Sequence, residues 1–433
     1  MTVFLTFFLP IAETELVIAR VIATENIQDP SVLVELGKKY YENNRYSEAV
    51  EVWEQAVKGF QAQGNLRNQA LALSNLSLTY QQVGNWSGAE KAITDSLNIL
   101  LSLKENSDER SQIYVQALDI KGHLKYAVGK TLEALNIWKE AAKFYAQIND
   151  KEGSAINKLN QAQALQTLGS FRQAKESLIE LEKSLKNQPD TAFKAKLFRS
   201  ISHVYAVMGE LEITDRNKEE NAQYALNRSL EVAKNLTSPD KEKEESATLL
   251  SLGNNQRALA KRFRERREST GYVEFQECKK YGVEANTPEF NSEQEEEEED
   301  EEDETFKLNL GFEKQRVRDA LNYYKQATNT AINISTLTQS QAEINQLSLL
   351  IEFNSESEAQ ELWQKIQNEN LLSKLTPRAS IYAGVNLAKT LSCFNSSVYD
   401  DESKKLLENA SQQADKNRRH AEGLSYAQGN LGR

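Results

Sequence analysis

Three histidines and two cysteines, His123, His203, His420, Cys278 and Cys393, are the side chains of this 433-residue chain best suited to nucleophilic or general-base work. A Cys/His pair acts only when the two groups come within hydrogen-bond reach. Nothing in the spacing brings these together: each His falls in its own stretch of helical periodicity, Cys278 lies in a charge-rich segment, and Cys393 falls on an apolar helix face. A pair made from His203 and Cys278 has no geometric support. Neither thiol has a second one nearby, so there is no disulfide framework and no CxxC pair for zinc. The chain also lacks GxxxxGK[ST], HExxH and GxSxG. Residues 293–304 carry eleven carboxylates in twelve positions. They form a low-complexity run with no scaffold to drive their pKa values apart. The sequence therefore predicts no catalytic residue, no cofactor and no metal, and an enzyme is not expected.

The same run explains the charge. Lys and Arg number 52 against 64 Asp and Glu, a net charge of −12; without the eleven acidic residues the remainder is −12 + 11 = −1. The acidity is local. One short basic cluster, Arg257, Lys261, Arg262, Arg264, Arg266 and Arg267, is less than the broad footprint by which proteins hold phosphate, so nucleic acid is not an expected partner. The longest apolar run, residues 3–12, is broken by Thr6 and Pro10 and is half the length of a spanning helix, so no membrane span is predicted. That run is either the apolar core of a secretory signal, without a preceding Lys or Arg, or it leads into an amphipathic capping helix over residues 13–24. The compartment follows from that choice: cytoplasmic for a capping helix, exported for a signal.

With only 6 Pro and 18 Gly, the composition is helix-forming and poor in β-turn signals. The elements that any functional residue must ride on are visible as an internal repeat. LGKKYYENNRYSEAVEVWEQAV (36–57), LSLTYQQVGNWSGAEKAITDSL (76–97), KGHLKYAVGKTLEALNIWKEAA (121–142) and QAQALQTLGSFRQAKESLIELE (161–182) are one unit written four times. Ala49, Ala89, Ala134 and Ala174 recur at spacings of 40, 45 and 40; Gly84, Gly129, Gly169 and Gly209 at 45, 40 and 40. Within each unit a 3.6-residue apolar pattern breaks at a polar turn and resumes, which predicts a helical hairpin. Small residues recur at equivalent places: Gly37, Ala49 and Ala56; Ser77, Ala89 and Ser96; Gly122, Ala134 and Ala141. Facing small side chains let two axes approach while Tyr40, Trp53, Tyr80 and Trp138 interlock around them. The fourth unit departs at Leu181, where a small residue is expected.

At these residues the sequence resembles the tetratricopeptide repeat family, whose signature is Leu-Gly then Tyr on the first helix, and Ala, an aromatic and Ala on the second. The resemblance implies an all-α solenoid of helical hairpins coiled into a right-handed superhelix, with helices longer than in the family's usual ~34-residue repeat. Further units follow with irregularities: a fifth with its turn widened by TDRNKEEN, a sixth whose first helix, SATLLSLGNNQRALAKRF, meets its partner only at Val317, a seventh at NQLSLLIEFNSESEAQELWQKI, and an eighth at SIYAGVNLAKTLSCF with KLLENASQQA. The expected organisation is an apolar segment or cap at 1–30, units one to six at 31–261, a disordered basic-then-acidic insertion at 262–313, and the remaining units at 314–433. A ninth first helix, AEGLSYAQGNLGR, stops at Arg433, which suggests the amino-terminal part of a longer protein or a degenerate cap.

Runs such as LSNLSLTYQQVGNW, LNQAQALQTLG and SYAQGNLGR are similar, in order as well as wording, to the long tetratricopeptide arrays that precede CHAT domains in cyanobacterial proteins. CHAT domains are caspase-like, and their His and Cys have no counterpart here. The repeat resemblance also implies a groove on the first helices. Asn75, Asn160, Asn386 and Asn430 fall two residues before the small position and Asn254 one after it; such asparagines can hold the backbone amides of an extended peptide or protein segment, or merely link neighbouring helices. Three functions stay open: an interaction scaffold recruiting partners to an effector, an autoinhibitory module of a caspase-like system, and an exported structural assembly protein.

Overall fold

The computed structural model describes residues 29–104, 107–212, 219–268, 301–353, 355–392 and 397–416, with only the backbone of 301–307, 356, 377–378, 397–398 and 414–416. The apolar amino-terminal run, Cys278, Cys393, His420, Asn430 and the ninth first helix lie outside the described residues. Among those described there are sixteen α-helices and no strand. They fall into two compact units, one ending at Gln188 and one beginning at Pro189.

The first unit holds four hairpins: α1 (Pro30–Glu42) with α2 (Tyr46–Ala62), α3 (Leu66–Gln82) with α4 (Trp86–Ser102), α5 (Asp108–Ala127) with α6 (Thr131–Gln147), and α7 (Lys151–Thr167) with α8 (Phe171–Leu185). Local chemistry starts and stops them. Asn85 and Asp150 cap α4 and α7, their side chains accepting from the backbone N–H of Gly88 at 2.9 Å and Gly153 at 2.8 Å. The recurring glycines are the left-handed residues that end first helices: Gly84, Gly129 and Gly169 have φ of 74°, 79° and 74°. After each, the next N–H reaches back to close the turn, as Asn85 to the Tyr80 carbonyl (2.9 Å) and Ser170 to that of Leu165 (2.8 Å).

The small positions face large ones. A Cβ on Gly37 would come 2.7 Å from Cε2 of Trp53, and one on Gly122 would collide with the Trp138 indole. Neither indole Nε1 has a hydrogen-bond partner among the described residues, so both rings are packing groups. Ala49, Ala56, Ala89, Ala134, Ala141 and Ala174 are fully buried. Where serine replaces the small apolar residue, its hydroxyl bonds across the crossing: Ser77 Oγ donates to the Ala89 carbonyl (2.8 Å) and Ser96 Oγ to that of Ala70 (2.7 Å). Leu181 is fully buried too. Its hairpin has Leu178, smaller than Trp, at the aromatic place, which leaves room for the larger neighbour.

The second unit repeats the plan: α9 (Ala192–Val207) with α10 (Ala222–Lys234), α11 (Asp240–Glu268) with α12 (Glu301–Ala331), α13 (Thr336–Glu352) with α14 (Glu356–Asn368), then a 3-10 turn (Leu371–Lys374), and α15 (Pro377–Leu391) with α16 (Ser397–Lys416). Ser229 Oγ donates to the Ala195 carbonyl at 2.8 Å, the same bond Ser96 makes in the second hairpin. The sixth hairpin pairs across the insertion as expected: Gly253 of α11 lies under Tyr324 of α12, with Ala320 and Ala327 fully buried.

The insertion itself is narrower than the expected 262–313. α11 continues through Glu268 and α12 already runs from Glu301. Phe263 stacks on Phe312 with ring centroids 5.2 Å apart. Arg264 is buried, its Nε donating to Glu313 at 2.7 Å and its guanidinium also pairing with Glu352 and lying 4.8 Å over the Phe353 ring. Arg264 falls within the expected disordered insertion because its partners lie 49 and 88 residues away, out of reach of any local pattern.

Candidate peptide-binding surface

Successive first helices touch one another in each unit: α3 packs on α5, α9 on α11, α11 on α13 and α13 on α15. Polar side chains line these contacts. In the first unit Gln81 Nε2 of α3 reaches the Ile120 carbonyl of α5 at 3.4 Å, Tyr126 of α5 shares a 2.8 Å bond with Thr167 of α7, and Asn160 Nδ2 of α7 stands 3.3 Å from His123 Nε2 of α5. In the second, Arg199 of α9 pairs with Glu244 of α11 at 2.7 Å, and Arg257 of α11 donates to Ser348 Oγ (2.8 Å) and Glu352 (3.1 Å) of α13.

The candidate asparagines separate on this surface. Asn160 is buried and engaged with His123. Asn254 is exposed, and its Oδ1 accepts from Tyr324 Oη at 3.0 Å and Asn345 Nδ2 at 2.9 Å, tying three helices together. Asn75 is half-buried, and among the described residues no hydrogen bond engages its side-chain amide. Asn386 is exposed on α15. Asn160 and Asn254 thus link neighbouring helices, while Asn75 makes no such bond among the described residues.

Beneath the surface lies a network the sequence did not single out. Asp119 of α5 accepts from Tyr145 Oη of α6 and from Asn157 Nδ2 of α7 (3.0 Å), while Gln161 Nε2 donates to Asn157 Oδ1 at 2.7 Å. Desolvation pushes the Asp119 carboxyl up to about 6, against the lowering effect of those two donors. Burial also holds the Tyr145 phenol above its ordinary range. His123 sits edge-on to Trp138, with ring centroids 5.2 Å apart, and desolvation lowers its imidazole to about 4, which keeps it neutral near pH 7. His203 is exposed on α9. No sequence signal marks this network, because its partners come from three helices. Among the described residues no group of His, Cys, Asp and Glu is arranged to hold a metal, and no helix is long and apolar enough to cross a membrane.

What decides the repeat type is one contact made three times: a glycine of the first helix under an aromatic ring of the second, at Gly37 and Trp53, Gly122 and Trp138, and Gly253 and Tyr324. The fold is a tetratricopeptide-type hairpin array. No family model matches this sequence, and no curated protein matches it. Solved helical-repeat structures do. BtubC (BKLC) from P. vanneervenii is 18% identical, covering 56% of this chain and 95% of that one, with a TM-score of 0.39. A Rap protein complexed with competence and sporulation factor is 12% identical, covering 93% and 96%, with a TM-score of 0.39. The TPR domain of P58(IPK) is 14% identical, covering 93% and 98%, with a TM-score of 0.20. At such scores nothing about function follows from the likeness.

Proposed function

We propose that this tetratricopeptide-type array is a non-enzymatic interaction scaffold that takes an extended peptide or protein segment along its first helices. The observation that carries this reading is the Asn75 amide: half-buried on α3, it is left out of the bonds that bind neighbouring first helices to one another. A primary amide offers a donor and an acceptor together, which suits the backbone of an extended ligand and reads main chain more than side chain. In the second unit Asn254 offers only its Nδ2 donors, its Oδ1 being held by Tyr324 and Asn345, and Asn386 is exposed on α15. Asn160 supports it as a positioning residue, through His123.

A display library of extended peptides selected on the full chain, followed by calorimetry, tests the proposal. Asn75→Ala is expected to weaken a selected peptide by ~1–3 kcal/mol while leaving the melting temperature unchanged. Selection of no peptide, or selected peptides indifferent to Asn75→Ala, counts against it.

The finer reading, that the array serves a caspase-like CHAT effector by recruiting or restraining it, rests on the order of the repeat motifs. Reading the gene downstream of Arg433 for a segment carrying His and Cys tests it. An exported assembly protein is the alternative supported by the apolar run at residues 3–12. Signal cleavage during expression in a secreting host separates that reading from the others.

A further inference from the structure

The turns that close hairpins two, three and four lie side by side along one edge of the first unit. Tyr126, at the end of α5, shares a 2.8 Å bond with Thr167, at the end of α7. Lys125 of α5 reaches Glu90 of α4 at 2.8 Å and Glu133 of α6 at 3.6 Å. The three turns are fastened to one another, so what they carry forms one surface.

Much of what they carry is apolar. Among the described residues of the first unit eight large hydrophobic side chains are exposed, and five of them sit on this edge: Trp86, Val128, Leu132, Leu168 and Phe171. Leu132 is 61% exposed and Phe171 52%. These side chains stand on an open edge. A Cβ on Gly84, Gly129 or Gly169, the glycine of each turn, would meet no heavy atom within 4 Å. An exposed apolar patch marks contact with a protein or a membrane. Protein contacts are anchored by side chains seated in fitted recesses, which open turn tips do not form. A bilayer takes up separate apolar tips without a recess, with aromatic rings held at the headgroup level.

The charge of the edge favours the same occupant. Residues 81–91, 125–133 and 166–176 hold five cations, Lys91, Lys125, Lys130, Arg172 and Lys175, against Glu90, Glu133 and Glu176, a net 5 − 3 = +2 on a chain whose total is −12. All three carboxylates are paired on the edge itself: Glu90 and Glu133 with Lys125, Glu133 also with Lys130 at 3.5 Å, and Glu176 with Arg172 at 4.0 Å. An anionic headgroup layer therefore meets net positive charge beside the apolar tips. We propose that this edge docks the protein on an anionic lipid bilayer, with Trp86, Leu132 and Phe171 entering the headgroup boundary and Lys130 and Arg172 facing the lipid phosphates. The contact uses the turns and not the first-helix face offered to a peptide.

Trp86 reports its own insertion, because it is exposed while the other three indoles, Trp53, Trp138 and Trp363, are buried. The full chain titrated with vesicles of phosphatidylserine and phosphatidylcholine in equal parts should co-sediment with them and shift its tryptophan emission to the blue. Trp86→Phe should keep the co-sedimentation and lose the shift. Vesicles of phosphatidylcholine alone should bind about tenfold more weakly, as should the anionic vesicles when Lys130→Glu and Arg172→Glu are combined. Leu132→Glu with Phe171→Glu should abolish binding at an unchanged melting temperature, since both positions are exposed. Absence of binding to the mixed vesicles overturns the proposal, as does binding that survives Leu132→Glu with Phe171→Glu, or an emission shift retained by Trp86→Phe. Self-association without lipid that the same double variant abolishes assigns the edge to a second copy of the chain and overturns it as well. Equal binding to phosphatidylcholine alone overturns the anionic assignment.

Discussion

Gly253 of α11 lies under the ring of Tyr324 of α12, so close that a Cβ on the glycine would fall 2.5 Å from Cε1. The two residues are 71 positions apart (324 − 253) yet reproduce the contact that Gly37 makes with Trp53 across an ordinary turn. The crossing, not the length of chain between the helices, defines the hairpin. Gly253→Ala and Gly122→Ala should each overpack a crossing and cost ~1–3 kcal/mol. Thermal unfolding measures this, and Gly384→Ala is the control: its Cβ would meet Ala410 and Leu406 only at 3.8 Å, an ordinary contact, and the melting point should barely move.

Arg264 and Glu313 form a buried ion pair at the stem of the sixth hairpin, 8% and 2% exposed. Arg264→Met should destabilise the chain by ~3–5 kcal/mol, because it removes the guanidinium from a buried carboxylate. Adding Glu313→Leu should recover most of that loss in chemical denaturation. Equal destabilisation by the single and double variants would place the cost in packing over Phe353 instead.

Asp119 and His123 stand one turn apart on α5 and oppose each other in pH. The folded Asp119 carboxyl titrates at about 6 rather than 3.8, so between those values the native state holds the extra proton, and its contribution to stability falls as pH rises through 6. The folded His123 titrates at about 4 rather than 6.5, so its contribution is present above 6.5 and is lost as pH falls toward 4. Asp119→Asn should leave the His123 effect uncovered, a chain losing on the order of 1–2 kcal/mol on acidification from pH 6.5 to 4.5. His123→Gln should do the reverse and gain stability over the same interval. Urea denaturation at stepped pH reads both.

Asn75 and Asn160 occupy equivalent places on α3 and α7, and their replacements should fail differently. Asn160→Ala leaves His123 Nε2 without its amide and should lower stability by ~1–2 kcal/mol, whether or not a peptide is present. Asn75→Ala should spare stability and affect peptide capture alone. Paired melting and binding measurements on the two variants show whether one row of residues has two roles.

The repeating spacings of glycine and alanine, the 3.6-residue apolar period and the side-chain caps determined the helices, their turns and their pairing, including the pairing across the insertion. These signals are legible because they act within one hairpin: a left-handed glycine, a cap three residues from its target, a small residue facing an aromatic. The groove asparagines were legible only as positions. Which of them face a ligand depends on partners such as His123, 37 residues from Asn160, and Asn345, 91 residues from Asn254. Arg264 falls inside the expected disordered insertion for the same reason. Its burial is decided by Glu313 and Glu352, on helices that the sequence separates and only packing brings together. A sequence pattern records which residues seek burial, and only the tertiary structure decides whether a neighbouring helix arrives to cover them.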